Sequence, residues 1–129
     1  MNLIKFFTTG LLLLTSTTAF ADFECKTVPS TVSPQVKVYA SLTKLRICVS
    51  GNVTCGEYSV VNCQYIFASG NSQASHLLQG SCEWHVSSTN IYTFLFTPTS
   101  NLNLVNLMAK NVDPSKDELV GTNLECIGN

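Results

Sequence analysis

The placement of six cysteines constrains this chain more than any other feature, and four of them, Cys48, Cys55, Cys63 and Cys82, fall within residues 44–86. Each consecutive pair straddles a turn signal: Cys48 and Cys55 are mirror images about Gly51 and Asn52, and Cys63 and Cys82 about Ser72 and Gln73. A disulfide across a β-hairpin needs this arrangement, because opposed residues of an antiparallel ladder stand at equal distances from the turn. Elimination leaves Cys25 and Cys126 to join the two ends of the domain. Zinc sites draw ligands in close pairs such as C-x2-C or H-x3-H; the cysteine gaps here are wider, and His76 and His85 lack partners at helical spacing. The expectation is a disulfide framework, with no metal and no cofactor.

All six cysteines follow a leader-like segment. MNLIKFFTTGLLLLTSTTAFA places Lys5 before the apolar run through Leu11, Leu12, Leu13 and Leu14, with Ala19 and Ala21 at the small-residue positions of a cleavage site. The run is broken by threonines and Gly10, too short to meet the ~20 apolar residues of a membrane span. Residues 1–21 are therefore expected to be a signal peptide and residues 22–129 one exported domain, periplasmic or secreted, where disulfides persist. Removing 21 residues from 129 leaves 108, enough for one core. Losing Lys5 leaves 6 basic and 8 acidic residues, a balance of -2 with no basic stripe, which excludes nucleic acid as the expected partner.

Alternation of polar and apolar residues marks strands along the mature chain. Phe23, Cys25 and Thr27 alternate with Glu24 and Lys26; Val36, Val38 and Ala40 alternate with Lys37 and Tyr39; Leu45 and Ile47 follow with Lys44 and Arg46. Gly51 and Asn52 suit a two-residue turn, although that loop would leave Cys48 and Cys55 at a hydrogen-bonded position, and a longer loop would suit the disulfide better. Centring the second hairpin in GNSQAS opposes Tyr65 to Gly80, Phe67 to Leu78 and Cys63 to Cys82. One face then carries Val61, Cys63, Tyr65 and Phe67 beside Leu78, Gly80, Cys82, Trp84 and Val86; the other carries Asn62, Gln64, Gln79, Ser81, Glu83 and His85. IYTFLFT continues the pattern. NLNLVNLMAKNV admits either period; its β neighbours favour a strand begun at Leu102 and Leu104, ahead of the DPSKDE loop and a last strand reaching Cys126. The expected fold is all-β, a small antiparallel β-sandwich or barrel of about seven or eight strands braced by disulfides.

Catalytic signatures are missing: there is no G-x-S-x-G, H-E-x-x-H, P-loop or G-x-G-x-x-G. Alternation sends Glu83 and His85 to the solvated face and Trp84 inward, which deprives an acid-base pair of the burial that shifts a catalytic pKa. Asn52, Val53 and Thr54 match a glycosylation acceptor and so mark a surface loop. The favoured function is a non-enzymatic binding module for an extracytoplasmic protein or glycan, an inhibitor being one such form. Loops on a rigid scaffold commonly carry recognition, which makes Asn71, Gln73 and His76 in one loop and Lys116 and Asp117 in another the candidate binding residues. Two alternatives stand beside it: a small secreted hydrolase or toxin using His85 or His76 with a carboxylate, and an envelope or fibre subunit pairing through a sheet edge.

Overall fold

The alternating stretches become antiparallel strands: β1 (Asp22–Thr27), β2 (Val36–Ser41), β3 (Lys44–Val49), β4 (Gly56–Ser59), β5 (Val61–Phe67), β6 (Ser75–His85), β7 (Ile91–Pro98), β8 (Val105–Asn111) and β9 (Glu118–Gly128). This computed structural model describes residues 22–29, 34–68 and 75–128. The expected leader, residues 1–21, and the turn holding Asn71 and Gln73 lie outside them. Within the described residues there are nine strands, more than the alternation alone separated, and a short 3₁₀ turn over Pro114–Lys116 inside the expected DPSKDE loop. No helix among them is long and apolar enough to cross a membrane.

The strands lie in the order β4-β3-β2-β1-β9-β8-β7-β6-β5, and the start of β6 also pairs with the end of β9. Strand β9 therefore serves two layers. Its first part runs along β8, from Ala109 opposite Glu118 to Val105 opposite Leu124, and its last part runs along β1, from Thr27 opposite Leu124 to Phe23 opposite Gly128. Irregular register between Leu107 and Met108 and between Val105 and Leu107, with Asn123 at φ 52, bends it between the two. Such bulges insert a residue on one strand and sharpen its twist.

Side chains from both layers meet in the core. Phe23 of β1 touches Tyr65 edge-on with ring centroids 4.7 Å apart, and also Phe67 and Phe96. Tyr58 of β4 lies 4.6 Å from Trp84 and 5.2 Å from Phe94. Such pairs add ~0.5–1.5 kcal/mol each beyond area burial. The buried Tyr65 hydroxyl donates to the Ser41 carbonyl at 3.0 Å and touches Cys82 Sγ at 2.6 Å. Burial raises its pKa, so the phenol remains a donor binding β5 to β2.

All three expected disulfides form: Cys25–Cys126, Cys48–Cys55 and Cys63–Cys82. Cys25 and Cys126 are opposed in the β1–β9 ladder with Cα atoms 3.9 Å apart. In the first hairpin the ladder ends at Ile47 opposite Gly56, and the turn bond runs from the Asn52 N–H to the Val49 carbonyl. Ser50 and Gly51 are thus its central residues, with Gly51 at φ 93, a conformation glycine adopts without strain. The longer loop removes the geometric objection and sets the cysteine Cα atoms 4.3 Å apart.

The second hairpin keeps Tyr65 opposite Gly80, where a glycine is needed because a Cβ would stand 2.7 Å from the Tyr65 ring. Its ends differ from simple alternation. A shift between Ile66 and Phe67 places Phe67 opposite Leu77, not Leu78, and Leu77 is the buried one. Another between Val61 and Gln64, with Asn62 at φ 54, turns Val61 out to 47% exposure. The ambiguous segment is strand β8, but its buried phase is Val105, Leu107, Ala109 and Asn111, while Leu102 is 75% exposed in the preceding turn.

In the chain-entropy view the bond spanning 101 positions restricts the unfolded chain most and the one spanning 7 least. Replacing Cys25 and Cys126 by alanine should therefore lower the unfolding free energy by ~4–5 kcal/mol, against ~2–3 kcal/mol for Cys48 and Cys55. Urea titration of the two double variants checks the order; an equal or greater loss at Cys48 and Cys55 contradicts it.

Candidate functional site

Burial of Phe23, Cys25, Val38, Ala40, Leu45 and Ile47 leaves their strand neighbours on the outer face of the β1–β2–β3 layer. Asp22, Glu24 and Lys26 come from β1, Lys37, Tyr39 and Ser41 from β2, Lys44 and Arg46 from β3, and Glu125 and Ile127 from the end of β9. Together they line a groove of about 710 Å³. Of the six lysines and arginines after Ala21, four are here: Lys26, Lys37, Lys44 and Arg46.

Register orders these groups into rows across the strands. One row runs His76, Ile127, Glu24, Tyr39, Arg46, Glu57, and the next runs Glu125, Lys26, Lys37. At the β3 end, the Glu57 carboxylate forms ion pairs with Lys44 Nζ at 3.8 Å and Arg46 Nε at 3.6 Å, and the Arg46 guanidinium stands 5.6 Å above the centre of the Tyr39 ring. At the β9 end, His76 Nε2 lies 3.4 Å from Glu125 Oε2. Lys26 and Lys37, directly opposite one another, take part in no ion pair among the described residues, and neither do Asp22 and Glu24. Like charges facing each other across a ladder are unfavourable by ~0.2–1 kcal/mol. The groove thus holds Asp22 and Glu24, without ion pairs, towards one end of β1 and, towards the other, Lys37 facing Lys26, which stands between Lys37 and Glu125.

The loops singled out by sequence do not form one site. Asn71 and Gln73 fall outside the described residues. His76 borders the groove through Glu125. Lys116 and Asp117 sit beyond the opposite end of β9, where Asp117 accepts the Asn111 N–H at 2.8 Å and pairs with Lys110 at 3.4 Å. Asp113 caps the 3₁₀ turn there; hydrogen bonds from the Ser115 hydroxyl and N–H hold its carboxyl below the usual aspartate range.

Glu83 and His85 do stand together on the solvated face of β6, with Glu83 Oε1 2.9 Å from His85 Nε2 and 3.2 Å from the Asn62 amide that donates to it. The His85 hydrogen bond, then the Asn62 one, holds the Glu83 carboxyl below its ordinary range. Trp84 turns inward and stacks on Tyr92 at 5.2 Å. No group of three metal-ligating side chains occurs among the described residues. The sheet ends at β4 and β5; β4 has only 4 residues and β5 carries bulges, features that discourage pairing between edges.

Comparison of the chain with known protein families, curated proteins and solved structures finds no match.

Sequence alternation had placed Lys26, Lys37, Tyr39 and Arg46 outward without connecting them. The available signal was that three successive strands each send charge to the same face. Two measurements follow. Lys37→Gln, by removing the repulsion with Lys26, should raise the unfolding free energy by ~0.2–1 kcal/mol in urea titration; a fall would mean that Lys37 is already satisfied. The Glu83 carboxyl should titrate below the usual glutamate range by NMR and move up in His85→Ala, and an unmoved titration would show that the pair does not form in solution.

Proposed function

We propose that this chain is an exported, non-enzymatic binding module that engages a glycan or a protein outside the cytoplasm, and that the groove over β1, β2, β3 and the end of β9 is its recognition surface. The carrying observation is the facing pair Lys26 and Lys37, neither of them in an ion pair among the described residues. A fold that keeps an unfavourable pair in a concave site, where either residue could be neutral without loss of packing, is consistent with the charges serving a ligand. Three disulfides suit an oxidising, extracytoplasmic setting, and the leader-like residues 1–21 supply the route.

Rigid strands rather than loops would position the contacts. Tyr39, part-buried at the centre of the groove, offers a ring and a hydroxyl, and Glu24 and Asp22 offer acceptors. The hydrolase alternative has less support, because neither histidine–carboxylate pair, His85 with Glu83 away from the groove or His76 with Glu125 at its border, is hydrogen-bonded to a hydroxyl nucleophile among the described residues.

The test is comparative retention on the immobilised chain from an extracytoplasmic extract. Components held by the wild type should be lost from Tyr39→Ala combined with Lys37→Gln and retained by His85→Ala and Lys116→Ala. Loss in His85→Ala with retention in the groove variant would overturn the assignment.

A further inference from the structure

Resting on the reading of the groove as a recognition surface, we infer that its ligand is an acidic polysaccharide whose carboxylate or sulfate group sits between Lys26 and Lys37.

Backbone pairing is the first consideration. Strand β1 is bonded to β2 and β9 on its two sides, β2 to β1 and β3, and β3 to β2 and β4. The groove floor therefore presents no free N–H or C=O row, and an extended peptide cannot add to it as a strand, which is how sheets commonly capture peptides. Recognition has to come from side chains alone. Those supplied are four cations, three carboxylates, the Tyr39 ring and hydroxyl, Ser41 and the apolar Ile127.

That set suits a ligand with many hydroxyl groups and an acid. Carboxylates only accept hydrogen bonds and ammonium groups only donate them. Asp22 and Glu24, unpaired with any cation, are complementary to hydroxyl donors, and Lys26 and Lys37 to an anion. Glu57 engages Lys44 and Arg46, and Glu125 stands opposite Lys26, which leaves Lys37, facing Lys26, as the focus of positive charge. A neutral glycan would leave Lys37 facing Lys26 with no carboxylate opposite it. A polyanionic peptide would bring its carboxylates against Asp22 and Glu24 without hydroxyls to satisfy them.

The experiment is biolayer interferometry on the full oxidised chain with four probes: polygalacturonate for a carboxylate source, dextran sulfate for a sulfate source, neutral dextran, and poly-L-glutamate. At least one acidic polysaccharide is expected to bind ten-fold or more tightly than either dextran or poly-L-glutamate, with the stronger of the two naming the acid. Lys26→Gln with Lys37→Gln should weaken that binding at least ten-fold. Lys110→Gln with Lys116→Gln, which makes the same change in net charge elsewhere, should stay within two-fold. Thermal midpoints at or above that of the wild type establish that the groove variant is folded. Absence of binding to both acidic polysaccharides, equal binding of poly-L-glutamate, or equal loss in the two double variants overturns the inference. If Tyr39→Ala combined with Lys37→Gln still abolishes retention of extract components in that case, only the acidic ligand is wrong; if it does not, the groove reading fails as well.

Discussion

The structure depends on the meeting of β1 with the end of β9. The two strands carry the ends of the described domain, and their ladder from Phe23–Gly128 to Thr27–Leu124 is fixed by the Cys25–Cys126 bond in its middle. Without it β9 would belong to one layer only. With it, the strand that begins along β8 finishes along β1, and Phe23 is carried into the aromatic cluster of Tyr65, Phe67 and Phe96. Closing the longest loop also removes the most freedom from the unfolded chain. A domain of this size, with a modest core, gains more from that restriction than a larger one would.

The same junction creates the groove. Glu125 and Ile127 reach the outer face of the first layer only because β9 has crossed to β1, and the neighbouring start of β6 brings His76 alongside. Lys26 then faces Glu125 on one side and Lys37 on the other. The other face of the fold offers less. Glu83 and His85 form a close pair, but one open to solvent and held mainly by each other and Asn62. In water such a pair is worth little, and it has no enclosing walls in which its chemistry could be tuned.

Much of the architecture could be read from residues. The mirror placement of cysteines gave the pairing of Cys63 with Cys82, and facial polarity gave Tyr65 opposite Gly80. Local irregularity was hidden. A bulge adds one residue to one strand, so alternation read outward from Tyr65 keeps its period and reaches Leu78, whereas the chain has slipped and buries Leu77. Asn62 and Asn123, the non-glycine residues at positive φ among those described, mark such slips. The phase of β8 was obscured for a related reason: Leu102 and Leu104 begin an apparent alternation, but Leu102 belongs to the turn before the strand. The candidate site was less legible still. Its charges come from three successive strands, β1, β2 and β3, and from the end of β9, distant in sequence, and only the non-local pairing of β1 with β9 brings Glu125 beside the others.

Everything functional proposed for this chain presupposes that β1 lies beside the end of β9. Peptide mapping of the oxidised protein without reduction tests that most directly. Linked peptides joining Cys25 to Cys126, with Cys48 to Cys55 and Cys63 to Cys82, are the expected result; Cys25 or Cys126 linked to any other cysteine would contradict the layer, the groove and the site together.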